Sequence, residues 1–236
     1  NGRYRLMEVI DRGGMGKILR AIQEPIEREV AVKIMKAPED KQAERRFLLE
    51  AEMTARLDHP NTVRIYDYGR SDDDMVFIVM ELLRGHSLRK EITRGPIEPL
   101  RLVRIAKQLC SALAEAHSQD VIHRDIKPAN LMLGAAGEVK VCDLGLAKSV
   151  GSNLSLTMRR SVLGSPRYMA PELLNGSIKT RQLDLFSFGV MVWELAAGRN
   201  PPKEGDMWQK FRDGNAPDPA TYVRRSKDLC TLVRQL

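Results

Sequence analysis

The chain has 236 residues, which is enough for one large domain or for two packed lobes with a core. Its formal net charge is +7, but Lys and Arg are scattered, which favours a solvated basic surface over a nucleic-acid-binding patch. Three cysteines without a CxxC pair argue against a disulfide framework or a zinc site and favour a reducing, cytoplasmic setting. The longest apolar runs are far too short to cross a bilayer, so a membrane anchor would have to lie outside this segment.

The first part of the chain predicts a small β-rich lobe. Short runs with branched residues, separated by Gly- or Pro-containing turns, predict strands at 4–10, 17–22, 30–35, 62–68 and 75–81. Residues 40–57 predict a helix, because Phe47, Glu50, Thr54 and Leu57 fall on one stripe at helical spacing.

After Gly85 the pattern changes to that of a larger, mainly helical lobe. Apolar residues recur at helical intervals between Leu102 and Ala116, and Pro99 suits the first helical turn. Two short strands are predicted at 131–133 and 138–141, and a polar loop at 143–167. A second apolar helix is predicted at 183–197, ending at Gly198, with helical pieces at 206–212 and 226–235. We therefore expect a small lobe at 1–80, a linker at 81–85 and a larger lobe at 86–236.

Three features of the small lobe suit phosphate binding. The turn containing Gly13, Gly14 and Gly16 could bring backbone N–H groups to phosphate oxygens, although such turns also occur in ordinary hairpins. Ala31 and Lys33 share one face of their strand, so a flat ring and a phosphate could lie against it. Glu50 lies on an apolar stripe and needs a cation, for which Lys33 is the natural candidate, unless the helix packs loosely.

The larger lobe carries a polar loop between two apolar pieces, VIHRDIKPANLML. Within it, Asp125 could accept a hydroxyl proton, Lys127 could neutralise phosphate charge, and Asn130 could ligate a hard cation. Asp143 follows a strand, and its carboxylate together with the Asn130 amide would suit Mg²⁺. So many matching roles in one stretch are hard to explain as an ordinary turn.

These motifs occur in the order typical of the eukaryotic-type protein kinase superfamily, which the chain resembles over nearly its whole length. They are VAVK, HRDIKPAN, DLG, APE at 170–172 and DLFSFG at 184–189. The amino-acid sequence of the motifs is most similar to that of bacterial serine/threonine protein kinases. The resemblance implies an α+β, bilobal fold: a small antiparallel β-sheet lobe with one helix, a larger mainly helical lobe, and an ATP cleft between them. It also implies transfer of the γ-phosphoryl group of MgATP to Ser and Thr hydroxyls of proteins.

The resemblance assigns roles to the matching positions. Asp125, Lys127 and Lys33 would be catalytic, Glu50 would pair with Lys33, and Asn130 and Asp143 would bind Mg²⁺, or Mn²⁺ in its place. His123 would have a structural role, and Thr157 is the candidate site of activation-loop autophosphorylation. Nucleotide contacts would come from Ile10, Gly13, Gly14, Gly16, Ile18, Ala31, Lys33, Met80, Glu81, Leu83 and Met132.

Two departures keep alternatives open. Asp11 occupies the place of the first glycine of the family loop, and we expect it to weaken ATP binding. The arginine that pairs with Glu172 in the family would follow the present end, so we expect the domain at 1–236 to lack its C-terminal part. The alternatives are a catalytically weak pseudokinase that acts as a scaffold, and a small-molecule kinase of similar fold. A homodimer through the small lobe is a further expectation from the resemblance, whereas no nucleic acid partner is expected.

Overall fold

The small lobe is built on one antiparallel sheet. The computed structural model describes residues 2–13, 16–37, 41–144, 166–170, 181–200 and 213. The sheet has the strand order β1-β2-β3-β5-β4, with every neighbouring pair antiparallel. Its strands are β1 (Tyr4–Gly13), β2 (Gly16–Gln23), β3 (Arg28–Lys36), β4 (Ile65–Arg70) and β5 (Met75–Glu81).

The two faces of β3 pack differently, as its alternating sequence predicts. Val30 and Val32 are buried in a cluster with Ala21 and Val79 on the outer face. Ala31 joins a second cluster, which also contains Phe47 of helix α1 (Lys41–Ala55). The expected assignment of these strand faces is therefore confirmed.

The start of β4 is the main correction to the predicted strands. The sequence predicts a strand at 62–68, but β4 begins at Ile65. The preceding residues pair with the other lobe instead: Val63 N–H donates to the Val141 carbonyl at 2.9 Å, and Val141 N–H donates to the Asn61 carbonyl at 2.8 Å. This stretch therefore ties the two lobes together behind the cleft.

The larger lobe is formed around helices α3 (Pro99–Ser118) and α4 (Gln182–Ala197). Buried side chains of these helices form one core with strands β7 (Leu131–Leu133) and β8 (Val139–Val141). A short strand, β6 (His86–Ser87), and a short helix, α2 (Leu88–Ile92), were not predicted. Strand β6 pairs with β7 in a three-stranded sheet of order β6-β7-β8, which lies directly after the linker.

Capping residues fix the start of helix α3 and the end of helix α4. The Glu98 carboxylate caps α3 by accepting the N–H groups of Leu100 and Arg101 at 3.0 and 2.9 Å, ahead of Pro99 in the first turn. Gly198 closes α4 with a left-handed φ of 65°, as the sequence predicts. The predicted helical pieces at 206–212 and 226–235, and most of the predicted loop at 143–167, lie outside the residues that the structure describes.

Candidate active site

The polar loop between α3 and β7 brings three predicted site residues together, because two of them contact the carboxylate of the third, Asp125. Lys127 Nζ lies 2.6 Å from Asp125 Oδ2, and Asn130 Nδ2 donates to the same oxygen at 2.9 Å. Both contacts fall on Oδ2, and no other side chain in the described part of the chain hydrogen-bonds this carboxylate. Among the described residues, the side-chain contacts of this carboxylate thus fall on Oδ2 and not on Oδ1.

The orientation of the Asn130 side chain follows from its partners. Its Nδ2 group donates to the Asp125 carbonyl at 2.8 Å as well as to the carboxylate, and both partners are pure acceptors. Because the amide nitrogen must face them, the amide oxygen points away from Asp125. Asn130 is buried, and an oxygen of this kind suits a hard cation.

Lys33 and Asp143 form the second charged pair of the cleft. Lys33 Nζ on β3 lies 2.6 Å from Asp143 Oδ1, which follows β8, so the contact joins the two lobes. Asp143 has a left-handed φ of 59°, an uncommon backbone conformation that aspartate tolerates better than most residues. The Thr54 hydroxyl of α1 donates to the carbonyl of the following Leu144 at 3.3 Å, which ties helix α1 to this turn. The predicted pairing of Lys33 with Glu50 stays a prediction, since the Glu50 side chain lies outside the described residues.

Main-chain pairing holds the two candidate metal ligands, Asn130 and Asp143, close together. Cys142 N–H donates to the Asn130 carbonyl at 2.9 Å, so Asn130 and Asp143 emerge beside each other at one end of the β7–β8 hairpin. Within the described ranges no three His, Cys, Asp or Glu side chains converge as a metal site. The pair of oxygen donors nevertheless fits Mg²⁺, which keeps several waters and uses substrate phosphates as further ligands.

An apolar surface lies beside these charges, between the lobes. Ala31, Met80, Ile18, Leu83 and Cys142 belong to one cluster. Burial raises the pKa of the Cys142 thiol to about 12, so this side chain is uncharged at neutral pH. Four of the predicted adenine contacts are therefore brought together.

Two other predicted adenine contacts lie outside that cluster, and their contact with a nucleotide stays a prediction. Ile10 is exposed on β1, and Met132 is half-buried on β7; neither belongs to that cluster. At the linker, Glu81 N–H donates to the Arg64 carbonyl at 2.9 Å, so its carbonyl oxygen, rather than its N–H group, is the better candidate to contact a nucleotide.

A chain of ion pairs connects the glycine-loop strands to the linker. Glu29 of β3 lies 2.8 Å from Arg20 of β2 and 2.7 Å from Arg84 of the linker. Arg20 also lies 3.0 Å from Glu8 of β1. Hydrogen bonds from Arg84 and Arg20 hold the pKa of Glu29 below its usual value.

The glycine-rich turn is described at both ends. Gly13 pairs with Gly16 across the β1–β2 hairpin. Gly16 has a φ of 146°, and a Cβ added there would lie 2.2 Å from the Ile34 carbonyl oxygen, so this position requires glycine. Gly14, Thr157 and Glu172 lie outside the described residues.

Asp184 anchors the catalytic loop, a role that the sequence analysis missed. This fully buried carboxylate on α4 accepts the backbone N–H groups of His123 and Arg124 at 2.8 and 2.7 Å, and also contacts His117 Nε2 at 2.8 Å. Burial alone would raise the pKa of Asp184, but these hydrogen bonds outweigh it and lower the pKa. Arg124 is held with a left-handed φ of 66°. An acidic residue among apolar neighbours in the first turn of a buried helix was the available signal.

His123 has the structural position that the resemblance implies. Its Nδ1 accepts the Asp125 N–H at 3.3 Å, so the proton resides on Nε2, which donates to the Cys142 carbonyl at 3.0 Å. The ring thus links the catalytic loop to the strand that ends at Asp143.

A second buried carboxylate, Glu194 of α4, holds the segment that begins with the short 3₁₀-helix Pro166–Tyr168. The Tyr168 hydroxyl donates to Glu194 Oε2 at 2.5 Å, and Arg89 of α2 lies 3.0 Å from Oε1. Burial raises the pKa of Glu194 even though both partners oppose the shift. The Ser187 hydroxyl also donates to the Tyr168 carbonyl at 2.6 Å, so α4 fixes this segment by side chain and main chain.

Comparison with known proteins identifies the class to which this fold and site belong. The sequence profile of the protein kinase domain matches residues 4–230. Serine/threonine-protein kinase PrkC of Bacillus subtilis is 41% identical over 204 residues, covering 85% of this chain and 31% of that protein. Serine/threonine-protein kinase PknB of Mycobacterium tuberculosis is 35% identical over 243 residues, covering 98% of this chain and 39% of that protein.

The chain therefore belongs to the protein kinase domain family, and its bilobal α+β fold agrees with the expectation from the motifs. ATP and a divalent metal are used generally by this family. The chain spans between about a third and two fifths of the length of these curated relatives. Among the described residues, no helix is long and apolar enough to cross a membrane.

Proposed function

We propose that this chain is a catalytic domain that transfers the γ-phosphoryl group of ATP to Ser and Thr hydroxyls of proteins, in bacterial signalling. The observation that carries the proposal is the convergence of the Lys33–Asp143 pair with the Asp125 cluster on one cleft. Phosphoryl transfer depends mainly on positioning and charge stabilisation, and these are the groups that supply both. A scaffold without turnover is less well supported, because these polar residues are gathered without loss of any one.

Each group has a distinct part in the proposed reaction. Asp125 orients the acceptor hydroxyl and takes its proton while the hydroxyl oxygen bonds to the γ-phosphorus and the bond to ADP breaks. Lys127 contacts the transferred phosphoryl group, and Lys33 binds the α- and β-phosphates. The Asn130 amide oxygen and the Asp143 carboxylate would hold Mg²⁺, which neutralises phosphate charge.

The apolar cluster that contains Ala31 and Met80 supports a nucleotide site beside the charged residues of the cleft. The adenine ring would be enclosed by Ile10, Ile18, Ala31 and Met132, with Met80 at the back of the pocket. The backbone at Glu81 and Leu83 would contact the edge of the ring. Gly13, Gly14 and Gly16 would cover the phosphates. Mg²⁺ as the preferred metal, a cytoplasmic location, phosphorylation at Thr157 and dimerisation through the small lobe all remain part of this proposal.

The test measures transfer of radiolabelled phosphate from ATP to casein or to the protein itself. We expect Asp125→Asn to lower incorporation by about 10²- to 10⁴-fold, the usual contribution of general base catalysis. Asp120→Asn is the matched control, because the contact that the Asp120 side chain makes within the described part of the chain is an exposed ion pair with Arg181. Absence of transfer by the unaltered protein, or label found on tyrosine alone, would reject the proposal. Phosphopeptide mapping of the labelled protein tests Thr157.

A further inference from the structure

Arg20 of β2 faces the cleft, although no sequence motif assigns it to the site. In the sheet register it lies directly opposite Ala31 of β3, and Ala31 in turn lies opposite Met80 of β5. Residues directly opposite each other in a sheet project from the same face. Ala31 and Met80 belong to the apolar cluster between the lobes, so the Arg20 side chain lies on the face of the sheet that lines the cleft.

Two carboxylates on neighbouring strands hold the Arg20 guanidinium. Its Nη1 donates to Glu29 Oε1 at 2.8 Å, and its Nε lies 3.0 Å from Glu8 Oε1. The side chains of Arg20 and Glu29 are 35% and 32% exposed, so water screens this pair less than it screens a fully exposed one. The guanidinium therefore joins β1, β2 and β3 on the cleft side of the sheet.

Glu29 continues this connection to the linker. Its other carboxylate oxygen, Oε2, accepts a hydrogen bond from Arg84 Nη2 at 2.7 Å. Arg84 directly follows Leu83, which packs against the apolar cluster. At the next residue, Gly85, an added Cβ would lie 2.3 Å from the Leu133 carbonyl oxygen, so the linker runs close against β7. The linker is thus joined to β3 just before it meets the larger lobe.

The ion pairs from Glu8 to Arg84 therefore run along one side of the apolar cluster. Each pair joins one element to the next, so together they fix the distance between the sheet and the linker. A slot of fixed width lowers the entropic cost of binding a flat ring. Arg20 lies two residues beyond Ile18, the register partner of Lys33, which places it about 7 Å further from the phosphate-binding lysine.

We propose that Arg20 is a positioning residue for the nucleotide, and that it forms with Glu29 and Arg84 a clamp that sets the width of the base-binding slot. The inference rests on the proposed function, because it takes the apolar cluster to be the nucleotide site. Since the clamp acts on the base, loss of Arg20 should weaken binding of adenosine and of ATP by the same factor. A cation that attracted the triphosphate would instead affect ATP alone.

The test is displacement of a fluorescently labelled ADP from the chain by adenosine and by ATP with Mg²⁺. We expect Arg20→Met, which keeps an apolar stem but removes the charge, to raise both dissociation constants by about 3- to 5-fold. Arg20→Lys keeps the charge but cannot bridge two carboxylates in the same way, and should raise both by about 2-fold. In both variants KM for ATP should rise while kcat stays unchanged.

Arg5→Met is the matched control, because Arg5 lies on the same hairpin and its ion pair with Glu24 does not reach the linker. We expect it to change either dissociation constant by less than about 1.5-fold. The double variant Arg20→Met with Glu29→Gln should bind no more weakly than the weaker of the two single variants, because both break the same connection. A thermal unfolding curve of Arg20→Met shows whether it is folded, and Arg20→Lys provides the test if it is not.

Four results would each overturn the proposal: unchanged adenosine affinity in the Arg20 variants, a loss of affinity for ATP alone, an equal loss in Arg5→Met, or additive losses in the double variant. The proposed function fails separately. If the unaltered chain bound ATP and showed the expected effect of Arg20 but transferred no phosphate, the clamp would stand and phosphoryl transfer would be rejected.

Discussion

Replacing Asp184 by Asn tests whether one buried carboxylate holds the catalytic loop in place. The change preserves shape but removes the charge and places an NH₂ group where an acceptor oxygen faces donors. Asp184 receives three hydrogen bonds, each of 2.7 or 2.8 Å. Breaking a buried charged network by altering one partner costs about 3–5 kcal/mol. For a chain of this size that corresponds to a fall in Tm of about 6–20 °C.

The assay combines thermal unfolding with phosphoryl transfer at a temperature where the variant is still folded. We expect lower stability and a lower kcat, because His123 and Arg124 lose the acceptor that fixes the loop bearing Asp125. Asp120→Asn is again the matched control, with an expected change below about 1 kcal/mol for its exposed ion pair. If the two variants unfolded at the same temperature, the anchoring role of Asp184 would be refuted.

The pH dependence provides an independent check on the same residue. The pKa of Asp184 is lowered in the folded protein, so its stabilisation is complete above its ordinary value of 3.8. That contribution is lost as the pH falls through the lowered, folded-state pKa. The difference in Tm between the unaltered protein and Asp184→Asn should therefore be constant near neutral pH and narrow in acid. A difference that grew on acidification would show that the hydrogen bonds to Asp184 do not favour its ionised form.

Three further substitutions test small-lobe residues that are proposed to affect nucleotide binding. Glu29→Gln should raise KM for ATP by about 2- to 5-fold at unchanged kcat. Glu24→Gln, which breaks an ion pair that does not reach the linker, should change neither constant, and an equal rise in KM for both variants would contradict the role of the Glu29 ion pairs. Asp11→Gly should lower KM for ATP by up to about 3-fold, less at high salt, because the carboxylate is exposed; identical constants would refute it. Gly16→Ala should cost about 1–3 kcal/mol in urea unfolding, and an unchanged midpoint would contradict the close contact.

Local patterns predicted much of this fold because they depend on neighbours in sequence. Alternation along β3 separates Val30 and Val32 from Ala31, and the structure places them in two different clusters. The spacing of apolar residues likewise predicts α3, and Gly198 predicts where α4 ends. Motif spacing predicted which polar residues gather around Asp125, because they belong to one short loop.

The features that were missed depend on partners far apart in sequence. Residues 61–63 resemble the start of a strand, but they pair with Val141 of the other lobe, which no local pattern indicates. Strand β6 and helix α2 are too short to show a period. Asp184 lies 60 or more positions from His123 and Arg124, whose N–H groups donate hydrogen bonds to it. A helical pattern therefore predicts the position of Asp184 but not its function.

The Asp125 cluster and the Lys33–Asp143 pair are held in place by different kinds of contact. Asp125 and its partners lie within one loop, and Asp184 fixes that loop from inside the larger lobe. Lys33 belongs to the small lobe and meets Asp143 only across the cleft. Changes at Asp184 should therefore alter stability and chemistry together, whereas changes along the Glu29 ion pairs should alter nucleotide binding alone.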